Sequence, residues 1–85
     1  MPLSMVNEGE KNVIKRVGGK AEVKRFLESL GFVAGGNVTV VSKNGGNVIV
    51  NIKESRIAVS KEMANRIMVK LYILKGILGK GSIQT

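Results

Sequence analysis

In the stretch RFLESLGFVAGGNVTVV, Arg25 to Val41, a helical apolar spacing stops at one glycine, passes two more, and becomes a β-branched run. No other feature limits the fold as much. Val23, Phe26, Leu27 and Leu30 recur at i, i+3, i+4 and i+7, while Glu22, Lys24, Arg25 and Glu28 take the opposite face. Gly31 follows the last apolar residue directly, where a left-handed cap is wanted and glycine adopts it without strain. Gly35 and Gly36 allow a tight turn, and NVTVVSK (37–43) starts a strand at once.

The remaining segments read as short strands. KNVIKRV (11–17) places Val13, Ile14 and Val17 out of strict alternation, which predicts a bulge or bend. Asn44, Gly45 and Gly46 are a hairpin signal, because such turns need positive φ angles. NVIVNIK returns with Val48, Val50 and Ile52 on one face, and RIAVS alternates again through Ile57 and Val59. KEMANRI fits one helical turn with Met63 inward, and IMVKL closes as a last strand. Five short strands with small connections are too little chain for two packed sheets. A curled barrel avoids long open edges at this size. The expectation is a mainly β fold, a small barrel of about five strands with one amphipathic α-helix over an opening and a short helical turn. The expected core is Ile14, Val17, Val23, Leu27, Leu30, Val38, Val40, Val50, Ile57, Val59, Ile67 and Val69.

Chemistry is narrowed mostly by what the 85 residues lack. There is no cysteine and no histidine, so disulfides, thiolate nucleophiles, imidazole bases and the usual zinc ligands are excluded. All acids are glutamates, and none sits in an apolar run. GFVAGGN is not a phosphate loop: Asn37 stands in the lysine place, and the order is helix to strand, not strand to helix. GKGS near the end lacks that context too. No enzyme, cofactor or metal site is expected. MPLSMVNEGEK has no basic region followed by an apolar one, and no apolar run approaches the roughly 20 residues of a membrane span. A soluble protein is expected.

The net charge is +8, and no acid follows Glu62 while Arg66, Lys70, Lys75 and Lys80 do. Such a basic end could meet nucleic acid, an anionic membrane face or an acidic partner. Base stacking has little to work with, since the only aromatics are Phe26, Phe32 and Tyr72.

PLSMVNEGEKNVIKRVGG, VKRFLESLGFVAGGNVTVV and VIVNIKESRIAVSKEMANRIMV together resemble the ferrous iron transport protein A (FeoA) domain family over about residues 3 to 69. The motif positions are Gly9, Ile14, Val17 and Gly18; Leu27, Leu30 and Gly31; and Gly35 or Gly36 with Val38 and Val40. They continue through Val50, Ile57, Ala58, Val59, Ala64, Ile67 and Val69. Ala34 replaces the family's usual proline and Val59 its leucine. The resemblance implies an SH3-like barrel that serves as a cytoplasmic accessory to the GTP-binding iron permease FeoB, peripheral to the membrane through that transporter. A similar domain occurs in metal-dependent repressors, whose DNA-binding and metal-binding portions this chain lacks. The alternative class is a basic barrel that binds RNA or the ribosome.

Candidate partner contacts are Arg25, Phe32, Lys43, Lys70, Tyr72 and Ile73, with a second copy as a further partner. The domain is expected over residues 1–75, with a flexible tail over 76–85. LYILKGIL, Leu71 to Leu78, either extends the last strand or presents an apolar strip to a partner.

Overall fold

The computed structural model describes residues 1–72. A 3-10 turn at Leu3–Met5 precedes β1 (Lys11–Val17) and the nine-residue helix α1 (Ala21–Ser29). Then follow β2 (Asn37–Asn44), β3 (Asn47–Ile52), β4 (Ser55–Ser60), the one-turn helix α2 (Lys61–Ala64) and β5 (Ile67–Leu71). The strands form one antiparallel sheet in the order β4-β3-β2-β1-β5. β4 and β5 are its edges and do not pair with each other, so the small barrel is a curled, open sheet. The N-terminal segment covers part of the β5 edge: Pro2 bridges Met68, and the Val69 N–H donates to the Met1 carbonyl at 2.8 Å.

The local signals in the sequence have their expected structural outcomes. The broken alternation of β1 is a register shift against β5 between Ile14 and Arg16. A second shift in β2, between Val40 and Ser42, absorbs the doubled valine. Gly45 takes φ +60° in the two-residue turn between Asn44 and Asn47. The end of α1 is a Schellman motif. Gly31 has φ +110° and donates to the Glu28 carbonyl at 3.0 Å; the Phe32 N–H donates to Leu27 at 3.1 Å. Ser60 caps α2 by accepting from the Met63 N–H at 3.1 Å.

Nine expected core residues are buried: Ile14, Val17, Leu27, Val38, Val40, Val50, Val59, Ile67 and Val69. Val23, Leu30, Ile57 and Met63 are partly buried against them. The core also takes in Val48, Ile52 and Ala64, and it differs from expectation in three further ways. Leu3 and Val6 are fully buried, so the opening segment is part of the core and not a lead-in. Phe26 is half exposed, because the seam of α1 is centred on Val23, Leu27 and Leu30 and Phe26 lies about 70° round from it at 100° per residue. Asn12 is fully buried on the inward side of β1, beside Ile14.

Candidate functional site

Two glutamates accept hydrogen bonds from the backbone. Glu8 accepts from the Lys43 N–H at 2.9 Å, and Glu10 accepts from the Asn7 N–H at 3.4 Å. Among the described residues no group of three or more acidic, histidine or cysteine side chains could hold a metal ion. The glycines of GFVAGG shape the chain: Gly31 and Gly35 take φ +110° and +89°. GKGS lies outside the described residues.

The six candidate contacts do not form one surface. Phe32 is a correction, because it is fully buried and is the largest side chain among the completely buried ones. The Schellman geometry explains it. The residue after the capping glycine folds back onto the third residue from the helix end, here Leu27, which is also fully buried. A capping glycine followed by phenylalanine was the signal for this, and it outranked a surface reading. Arg25 is exposed on α1. Lys43 lies near the end of β2, where its Nζ donates to the Ser4 carbonyl at 3.0 Å. It lines a cleft of about 140 Å³ with Ser4, Gly45, Asn47, Val48 and Lys61. Ile73 falls outside the described residues, as do the domain boundary at 75 and most of LYILKGIL. Leu71 ends β5 and is half exposed.

Lys70 and Tyr72 do come together, and they bring residues not singled out in the sequence. Lys70 sits directly opposite Val13 of β1 on the outward side of the sheet. The Tyr72 N–H donates to the Lys11 carbonyl at 3.0 Å, continuing the β1–β5 ladder by one residue. The Lys11 ammonium stands 4.6 Å from the centre of the Tyr72 ring, a cation–π contact. Lys11 was the missed member. Its signal is a cross-strand register, which exists only once β1 and β5 are paired.

Comparison with known proteins agrees with this architecture. The FeoA domain model matches residues 1–71. A candidate Fe(2+) transport protein A from Methanocaldococcus jannaschii is 32% identical over 69 residues, covering 81% of this chain and 84% of that one. The FeoA of Stenotrophomonas maltophilia, solved in complex with zinc and described as an SH3 domain protein, superposes with a TM-score of 0.73 at 30% identity. That match covers 82% of this chain and 89% of the other. A manganese-dependent transcriptional repressor shares the fold alone, with a TM-score of 0.79 at 17% identity over 85% of this chain and 36% of its own. The match takes in the opening segment, whose Leu3 and Val6 belong to the core. With the FeoA domain model matching residues 1–71 and a curled five-stranded sheet of the SH3-like kind, the chain belongs to the FeoA family.

Proposed function

We propose that this protein is a non-enzymatic accessory of ferrous iron uptake that works by contact with the GTP-binding permease FeoB at the cytoplasmic face of the membrane. The observation that carries the reading is where the family resemblance falls. Of its apolar motif residues, Ile14, Val17, Leu27, Val38, Val40, Val50, Val59, Ala64, Ile67 and Val69 are buried, Leu30 and Ile57 are partly buried, and Ala58 is exposed. The resemblance therefore rests mostly on a scaffold, and function is left to the surface the scaffold presents. The relatives support the iron connection: one carries the name Fe(2+) transport protein A, and the Stenotrophomonas protein is described as a candidate ferrous iron transport activating factor. Lys70 and Tyr72 are part of the proposed contact, with Lys11 beside them.

The test is capture of the permease. Affinity-tagged full-length protein, incubated with detergent-solubilised membranes from its own organism, should retain the permease. Cells lacking this protein should take up ferrous iron more slowly, with recovery on re-expression. Normal uptake in the deletion strain, together with no permease retained, would refute the proposal.

A further inference from the structure

Charge is divided between the elements of this fold in an unusual way. The five strands carry Lys11, Lys15, Arg16, Lys43, Arg56 and Lys70, and not one acidic residue. The glutamates all lie elsewhere: Glu22 and Glu28 in α1, Glu62 in α2, and Glu8, Glu10 and Glu54 in connections. The sheet is therefore purely cationic wherever its side chains are charged.

Strand register gathers part of that charge on one face. Residues directly opposite across a sheet point to the same side. Arg56 of β4 is opposite Asn51 of β3, Asn51 opposite Thr39 of β2, and Thr39 opposite Lys11 of β1. Tyr72 extends the line through its bond to the Lys11 carbonyl and its contact with the Lys11 ammonium. The side chains meet as the register requires, with Arg56 Nε donating to Asn51 Oδ1 at 3.3 Å. At strand spacing this row spans about 19 Å along the sheet. A second row lies beside it, formed by Lys70, Val13 and Asn37. Lys11, Asn37, Asn51, Arg56 and Lys70 are all exposed, so no described element covers this face.

We infer that the outward face of the sheet, from Arg56 through Asn51, Thr39 and Lys11 to Tyr72 with Lys70 alongside, docks an acidic segment of a partner protein. Three cations spaced among amide, hydroxyl and phenol groups offer donors to carboxylates along a line, and no carboxylate within either row competes for them. The neighbouring acids are Glu10, which precedes Lys11, and Glu54, in the turn before β4. Both stand at the margin of the face. Charge complementarity of this kind sets partner choice and encounter rate. A nucleic acid is the poorer fit, because the face holds a single aromatic ring and the Lys11 ammonium already lies against it. As applied to the permease, the inference rests on the function proposed above.

The test uses the full-length chain and two probes, a fluorescent oligoglutamate peptide and a fluorescent oligouridine. The double variant Lys11→Glu/Arg56→Glu is compared with Lys20→Glu/Lys24→Glu, which makes the same charge change on and beside α1, where both lysines are exposed. The sheet variant should weaken peptide binding by about tenfold or more, and the helix variant by about twofold at most. Lys70→Glu, which leaves the Lys11–Tyr72 contact in place, should weaken it on its own. Unfolding midpoints identify any variant that has lost its fold. Equal weakening by the two double variants would mean that binding follows net charge, and would overturn the assignment. So would tighter binding of oligouridine than of oligoglutamate by the wild type. In the capture assay, a sheet variant that retains the permease as well as wild type also overturns it. If the wild type fails to capture the permease while the peptide results hold, the permease reading fails and the docking face stands.

Discussion

Replacing Asn12 should make this protein more stable. Its side chain is fully buried on the inward side of β1, between Val38 on β2 and Leu71 on β5 in the strand register. Neither Nδ2 nor Oδ1 has a hydrogen-bond partner among the described residues. A buried polar group left without a partner costs about 1–3 kcal/mol. Leucine has the same branching as asparagine, so Asn12→Leu puts two methyl groups where the amide nitrogen and oxygen stood. The expected gain is about 1–3 kcal/mol, or a rise in Tm of about 4–8 °C for each kcal/mol in a domain of this size. Asn12→Val makes the same test without added bulk, since overpacking alone can cost about 1–3 kcal/mol. The assay is urea unfolding followed by far-ultraviolet circular dichroism, with an unchanged m-value as the sign that the unfolded state is unaffected. If both variants unfold at lower urea than wild type by more than about 1 kcal/mol, the amide is bonded in the native protein and the reasoning fails.

Three further outcomes are expected. Leu27→Ala should cost about 2–5 kcal/mol, because Leu27 is fully buried and anchors both the α1 seam and the Phe32 contact; a urea midpoint close to wild type would contradict the orientation of the helix. Lys53 holds φ +55° in the two-residue turn between β3 and β4, so Lys53→Gly should stabilise by about 1 kcal/mol in the same assay, and a loss of stability would show that this turn is not strained. Calorimetric titration with ferrous iron or zinc should show no tight one-to-one site, given the lack of histidine and cysteine, and a tight isotherm would point to the glutamates as ligands.

Several parts of the fold were legible because they depend on neighbours in the chain. A helix period, a strand period and a glycine at positive φ are properties of a few consecutive residues, so α1, its stop at Gly31, the Gly45 turn and the β1 irregularity could all be read directly. Burial follows the sequence period at Val38, Val40 and Val50, whereas Val48 and Ile52, on the same face of β3, are buried beyond the expected core. The candidate surface was legible only in part. Lys70 and Tyr72 lie together, but Arg25 and Lys43 sit on other elements and Phe32 is inside.

Element order, turns, most of the core and the lack of imidazole or thiolate chemistry all follow from the order of residues along the chain. Long-range packing was needed to show that Leu3 and Val6 close the core, that Phe26 is half exposed, and that Asn12 is sealed in without a partner among the described residues. Tertiary structure alone placed Arg56, Asn51, Thr39 and Lys11 in one row. Those four residues span 46 positions of sequence, from 11 to 56, and nothing local links them. Antiparallel pairing brings them side by side because each strand has one register that buries its apolar face, and that register fixes which polar side chains become neighbours on the other.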